Sequence, residues 1–429
     1  MKMIWPPIEV ITMKNTDENL LKTATISLFT GAGGLDLGLE AAGFCISICV
    51  EVAKDAQETL KVNRPHWKLA EPGHIHQISP PEILEQSNLR RGELALLSGG
   101  PPCQPFSKSA YWTGGRQGLR DPRASGLRAY LDVVEVALPK VILLENVRGL
   151  APNGNRDGGL KLLADGIRDI NRRLGSAYKL QVFHLNAVNY GVPQSRERVF
   201  LLASIDGTTF QIPPVTHGCG DRLEPRVTAW DAIGDLDSPE WPSELEPAGK
   251  WAGLLKSIPE GKNYLWHTKR GGGAPLFGWR TRYWSFLLKL SKRQPSWTIQ
   301  AEPGPATGPF HWRNRRLSIR ELARLQTFPD NYQFVGNRHS VHRQIGNAVP
   351  CAIGELLGLE IRRQFLGEQN IHRQLRMIPC RRENCPGEYP VQPVPNSYVH
   401  LLGEHPDHPG RGLGPGRVWK DTIKDESVR

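Results

Sequence analysis

Short aliphatic runs alternate along the chain with stretches whose apolar positions recur every three or four residues. An apolar run over 25–30 ends in Gly31-Ala32-Gly33-Gly34, and Leu35, Leu39 and Ala42 then share one helical face. A second strand-like run over 45–50 is closed by Glu51. Further strands are predicted over 94–97, 141–144 and 199–203, with helical patterns around 82–88, 126–137 and 160–174. Such alternation predicts an α/β fold, a parallel, doubly wound sheet whose ligands bind at the carboxyl ends of its strands. Regularity fades over 204–315, where Pro, Gly and Trp are frequent, and returns over 318–326 and 349–365. The pattern divides the chain into a lead-in over 1–24, an α/β domain over 25–203 and 316–366, an inserted irregular domain over 204–315, and a Pro-, Gly- and Arg-rich extension over 367–429. That extension shows little periodicity and reads as poorly structured.

Composition narrows the setting. Hydrophobic residues make up 39% of the 429, enough for a sizeable core. No stretch approaches the roughly 20 apolar residues of a membrane span. The start, MKMIWPPIEVITMKN, is broken by Pro6-Pro7 and has no apolar segment of the secretory kind. Seven scattered cysteines do not form a disulfide framework, so a reducing setting, cytoplasm or nucleus, is expected. The net charge of +11 hints at a polyanionic partner, and its distribution sharpens the hint. Segment 262–316 holds eleven Lys/Arg, ten aromatics and one acid, Glu302. The rest of the chain is nearly neutral.

Candidate chemistry gathers at predicted strand ends. Gly31 and Gly33 permit a tight turn and close backbone approach to a nucleotide-like ligand, and Glu51 is placed to bind ribose hydroxyls. A purely structural strand-to-helix turn would look the same. Asp36 stands where a dinucleotide fold carries its third glycine, which disfavours a pyrophosphate and hence an NAD oxidoreductase. In GGPPCQPFS (99–107) two prolines stiffen the approach to Cys103, a candidate nucleophile or a small buried hydrophobe. The loop beyond it is Gly-rich and basic, with Lys108 and Arg116, and could close over an anion. Glu145 follows four aliphatics, so desolvation should raise its pKa and let it hold a proton, unless it is only a strand-end carboxylate. Arg196 and Arg198 in QSRER (194–198) fall on one face, aimed at an anion or carbonyl oxygen or engaged in a surface ladder.

Taken in order, FTGAGGLDLG, Glu51, GGPPCQPFS, ENV, QSRER, RRLSIRELARLQTFPD (315–330) and QIGNAVP (344–350) resemble the DNA (cytosine-5)-methyltransferase family. The resemblance covers about 25–365, apart from a variable stretch over 204–312. It implies a Rossmann-like, S-adenosylmethionine-dependent methyltransferase fold with an inserted target-recognition domain. By resemblance Cys103 is the nucleophile at carbon 6 of cytosine, Glu145 the proton donor at ring nitrogen 3, and Arg198 a contact near the base's carbonyl oxygen, with Arg196 buttressing the site. It places Phe29, Gly31, Gly33, Glu51, Ile75, Pro101 and Asn347 around the methyl donor. It also implies that the cytosine is flipped out of the duplex, since a thiol cannot reach carbon 6 of a stacked base. One position departs from the family pattern: Gly73-His74-Ile75 stands where the family has Gly-Asp-Ile, whose Asp accepts from the adenine amino group.

In this resemblance the basic insertion is the reader of sequence, with Lys269, Arg270, Arg280 and Arg282 as candidate DNA contacts and most of its tryptophans in a small core. The expected partner is double-stranded DNA, bound by a monomer in the cytoplasm and nucleoid, with a cognate restriction endonuclease as functional counterpart. Alternatives are a tRNA cytosine methyltransferase, disfavoured by the long basic insertion, and a non-catalytic DNA-binding relative, which would not need Cys103, Glu145 and Arg198 together. In the extension, Cys380, Cys385, His405 and His408 lack a standard zinc spacing, so a disordered basic tail and no metal site are expected.

Overall fold

The computed structural model describes residues 21–102, 125–147, 150, 158–368, 371 and 374–407. Its centre is a six-stranded sheet of β1 (Ala24–Leu28), β2 (Cys45–Val50), β3 (Leu96–Gly99), β4 (Val141–Asn146), β5 (Gln181–Asn186) and β7 (Glu197–Ser204), in the order β2-β1-β3-β4-β7-β5. A short pair, β6 (Gln194–Ser195) and β8 (Ser296–Trp297), stands apart from it. β1, β3 and β4 are buried throughout, as expected of strands covered on both faces. Their side chains alternate between two cores. Leu96, Val141 and Leu143 face helices Gly34–Ala41 and Cys351–Phe365. Ile26, Leu97, Ile142 and Leu144 face helices Pro80–Gln86, Ser125–Ala137 and Gly159–Leu174. The doubly wound arrangement read from the sequence is therefore present.

Two features depart from the expectation. β5 was not predicted, and β7 runs antiparallel to both its neighbours, pairing Asn146 with Val199 and Glu145 with Phe200. The start of an antiparallel strand lies at the carboxyl edge of its parallel neighbours. Arg198 thus reaches the functional edge from a strand's beginning, not from its end.

The C-terminal helix Cys351–Phe365 closes the domain by packing on the first helix. Contact is at backbone distance, since a Cβ at Gly38 would strike the Cys351 carbonyl and one at Gly354 the Leu35 carbonyl. Glycine at both positions is what lets 316–366 rejoin the amino-terminal unit.

The insertion has its own small core of Leu254, Leu255, Ile258, Tyr264, Leu276, Phe277, Phe286, Leu287 and Phe310. Packing changes hands later than residue 204, because Phe210, Ala229, Ala232 and Ile233 still belong to the catalytic core. The extension is not a loose tail over 374–407. Tyr398 is buried in the insertion's core, stacked on Trp251 with centroids 6.1 Å apart, and its hydroxyl donates to the Lys250 carbonyl at 2.8 Å. Tyr389 donates to Asp237 at 3.1 Å, and the Arg382 amide donates to Asp231 at 2.8 Å. A strap anchored by isolated side chains has no periodicity to read, which is why the sequence pattern resembled disorder. His405 contacts the Leu401 carbonyl at 2.7 Å, and His408 lies outside the described residues. Among the described residues no helix is long and apolar enough to cross a membrane.

Replacing Tyr398 with Ala should cost roughly 3 kcal/mol of unfolding free energy, as for other large-to-small changes in a core. A urea midpoint equal to wild type would show that the strap does not stabilise the insertion.

Candidate active site

A cavity of about 600 Å³ opens along the carboxyl edge of the sheet. Phe29, Gly31, Glu51, Ile75, Pro101 and Asn347, six of the seven predicted cofactor residues, line it together with Glu145 and Arg198. The glycine loop makes the turn with Phe29 at φ 57° and Gly31 at φ 58°, both in the left-handed region. A Cβ at Gly31 would meet open space, so the loop leaves that side of the cavity free. Gly33 is not on the wall. At φ 74° it caps the following helix, and a Cβ there would press on Leu60 and Trp67. In the structure it forms the turn into that helix.

Glu51 spans this loop, accepting from the Gly31 amide at 2.6 Å and from the Ala53 amide at 2.8 Å. Each carboxylate oxygen keeps acceptor capacity toward the cavity, which suits a ribose diol. The volume is that of a pocket for a nucleoside-sized ligand. His74 also lines the cavity, and its Nδ1 accepts from the His76 amide at 3.2 Å.

At the other end of the cavity the strand-end carboxylate and the arginine meet. Arg198 Nε lies 2.8 Å from Glu145 Oε1, with both side chains largely shielded from solvent. Burial pushes the Glu145 carboxyl above the ordinary carboxylate range, while Arg198 and Arg196 draw it back only in part. Gly100 lets the chain pass close to this group, since a Cβ there would sit 3.3 Å from Oε2. Asn146 donates to the Pro101 carbonyl at 3.0 Å and so ties the Pro-Pro segment to the end of β4. Pro101 and Pro102 line the cavity, and Cys103 is the next residue in the sequence. Cys103, Lys108 and Arg116 lie outside the described residues.

Arg196 is buried, and its guanidinium donates to the Ile299 carbonyl at 3.2 Å and the Gly346 carbonyl at 2.7 Å. It thereby joins the end of the insertion to the helix that carries Asn347. The sequence did not reveal the glutamine relay beside it. Gln194 accepts from the Ile299 amide at 3.1 Å and donates to Gln326 at 3.1 Å, and Gln326 donates to the Ile345 carbonyl at 2.7 Å. Glutamines are usually exposed, and nothing in their spacing signals burial.

Ten of the eleven cations of 262–316 divide sharply, and the eleventh, Arg316, is half-buried. Lys289 donates to the Ile258 carbonyl, Lys292 pairs with Glu260, Arg313 with Asp237, and Arg315 with Glu321. Those charges serve the fold. Lys262, Lys269, Arg270, Arg280, Arg282 and Arg293 are exposed. Of the predicted DNA contacts, Lys269 and Arg270 face Asp407 of the strap at 2.9 and 3.7 Å. Arg270 and Arg280 flank the Trp279 ring at 4.7 and 5.6 Å, and Arg282 lies over Trp251, Phe277 and Phe286.

A mostly parallel sheet with one antiparallel strand, bordered by a nucleoside-sized cavity between a glycine loop and an acidic strand end, defines a Rossmann-like α/β fold that the solved structures named below share. The family model described as C-5 cytosine-specific DNA methylase matches residues 23–363, and the chain belongs to that family. It is 38% identical over 394 residues to the Type II methyltransferase M.SacI of Streptomyces achromogenes, covering 82% of this chain and 98% of the relative. It is 33% identical over 362 residues to the Type II methyltransferase M.Sau96I of Staphylococcus aureus, covering 80% and 76%. Among solved structures, DNMT2 of Spodoptera frugiperda shares the fold with a TM-score of 0.55 at 18% identity, covering 79% of this chain and 99% of that one. A putative DNA modification methyltransferase from an Escherichia coli prophage does so with a TM-score of 0.53 at 21% identity, covering 80% and 99%. The protein is a DNA (cytosine-5)-methyltransferase, and its methyl donor is S-adenosylmethionine.

Asp36 also lines the cavity, is buried, and accepts from Ser98 at 3.4 Å. Burial pushes its pKa up to about 6, against hydrogen bonds from Ser27 and Ser98 that pull it down. A carboxyl whose folded pKa is raised costs stability as pH rises from its ordinary value through the folded one. Relative to Asp36→Asn, the ligand-free protein should therefore lose roughly 3 kcal/mol of unfolding free energy between about pH 4 and pH 7. Parallel stability curves for the two proteins would show that Asp36 is not held in its acid form.

Proposed function

We propose that the protein methylates cytosine within a specific double-stranded DNA sequence through a covalent adduct with Cys103, on a base flipped out of the duplex. The observation that carries this reading is the meeting of Glu145 and Arg198 beside the Pro-Pro segment that leads to Cys103. Carbon 5 of cytosine is a weak nucleophile until electrons are pushed into the ring. The Cys103 thiolate adds at carbon 6, forming a carbon–sulfur bond, while Glu145 gives a proton to ring nitrogen 3. Burial keeps that proton on Glu145 to a higher pH than an exposed carboxyl would hold it. Arg198 limits this effect and directs its remaining donors toward the base's carbonyl oxygen. Phe29, Gly31, Glu51, Ile75, Pro101 and Asn347 hold bound S-adenosylmethionine, whose sulfonium supplies an electrophilic methyl group. Carbon 5 takes that methyl group as the methyl–sulfur bond breaks, leaving S-adenosylhomocysteine. The carbon-5 proton is then lost to water as the carbon–sulfur bond to Cys103 breaks, and nitrogen 3 returns its proton to Glu145, which restores the thiolate and the carboxylic acid and releases 5-methylcytosine.

The names of the relatives support a further part of the reading. The chain acts as the modification partner of a restriction endonuclease, as the Type II methyltransferase names of its relatives suggest for them. We further propose that it binds its site as a monomer and that the exposed cations of the insertion meet the DNA backbone there.

Incubation with S-adenosylmethionine and unmethylated DNA, followed by bisulfite sequencing, should give methylated cytosines in one sequence context. Transfer to tRNA and to no DNA would overturn the reading. A duplex with 5-fluorocytosine at the mapped position should trap a covalent complex with the wild type and none with Cys103→Ala. Glu145→Gln should slow methyl transfer by roughly a hundredfold or more.

A further inference from the structure

Among the described residues, the large aromatic side chains that stand exposed are Tyr283, Trp284 and Trp297, at 51%, 53% and 40%. They lie within fifteen residues of one another in the insertion. Trp284 and Trp297 touch edge to face, with centroids 5.4 Å apart and an interplanar angle of 70°. Single exposed apolar residues need no explanation, but a paired aromatic surface marks a contact site.

The backbones behind the two indoles are fixed. The Trp284 carbonyl accepts from the buried Asn263 amide group at 2.7 Å. Trp297 sits in β8, paired with Ser195 of β6, and the next residue, Thr298, donates to the Ser195 carbonyl at 2.7 Å. Rigid backbone that presents two indoles to solvent is a built surface and not a frayed one.

Its place in the fold is specific. From Ser195 the chain runs through Arg196 to Arg198 at Glu145, and Arg196 grips the Ile299 carbonyl two residues beyond Trp297. The pair therefore marks the seam between the catalytic edge and the insertion. No acidic residue occurs over 262–301, and Arg280 and Arg282 are exposed just before Trp284. An acid-free, cationic stretch of chain that carries an exposed aromatic pair matches a nucleic acid, with phosphates for the cations and base faces for the indoles.

We infer that Trp284 and Trp297 form an aromatic wedge that stacks on the bases flanking the target cytosine and stabilises the duplex once that base has left it. The inference rests on the base-flipping reading above. Extrusion costs unstacking and unpairing, and a side chain that replaces lost stacking lowers that cost. The wedge does not touch the reacting atoms. Its effect must therefore depend on how hard the cytosine is to extrude.

Single-turnover methyl transfer separates this role from a structural one. The wild type, Trp284→Ala, Trp297→Ala, the double variant and the two Trp→Phe variants are compared on a duplex carrying the mapped target. The same duplex with an abasic site opposite the target cytosine, which leaves that base unpaired, serves as the second substrate. On the paired duplex the double Ala variant should be slower by about tenfold or more, and on the unpaired duplex by no more than about threefold, with the Phe variants close to wild type. The dissociation constant for S-adenosylhomocysteine should stay within about twofold of wild type, which certifies the fold of each variant. Equal slowing on both duplexes, or none on either, would overturn the wedge while leaving DNA methylation intact. Failure of the wild type to methylate the paired duplex would instead overturn the reading on which the wedge rests.

Discussion

The antiparallel placement of β7 is the constraint on which the site depends. A parallel strand would bring its carboxyl end to the functional edge and carry QSRER to the opposite side of the sheet. Because β7 runs the other way, its first residues lie opposite the last residues of β4, and Arg198 meets Glu145. That pairing holds a carboxyl that burial would otherwise leave without a partner. Burial raises the proton affinity of Glu145, and Arg198 keeps the charge from standing uncompensated when the proton is given up.

Arg196 extends the same constraint outward. Its buried guanidinium needs acceptors, and it finds them in the carbonyls of Ile299 and Gly346. One belongs to the insertion, the other to the helix carrying Asn347 at the cofactor cavity. The Gln194–Gln326 relay makes the same connection with neutral groups. The insertion, the cavity and Glu145 are thus held in register by side chains from one five-residue segment, 194–198.

Much of this was legible in the sequence, and the reasons differ by element. β1, β3 and β4 are short runs of mostly aliphatic residues buried throughout because both faces are covered, and they were readable for that reason. β5 escaped notice because it is an edge strand of mixed burial, QVFHLN, with no clean period. The direction of β7 left no trace in its composition. The strap over 374–407 has no period either, since Tyr389 and Tyr398 anchor it one side chain at a time. Charge counting overstated the exposed charge of the insertion, because Lys289 is engaged with a backbone carbonyl and Lys292, Arg313 and Arg315 with carboxylates inside the fold. Six of the seven positions that motif order places around the cofactor line the cavity, and Gly33 caps the helix that follows the loop.

The pH dependence of single-turnover methyl transfer tests the central claim most directly, that burial and Arg198 together set the proton affinity of Glu145. With wild type the rate should fall as pH rises through the Glu145 pKa, since the proton donor is then lost. Replacing Arg198 with Gln removes the charge that draws this pKa down, so the fall should move to higher pH, whatever the variant's maximal rate. A fall that stays in place, or moves to lower pH, would contradict the account.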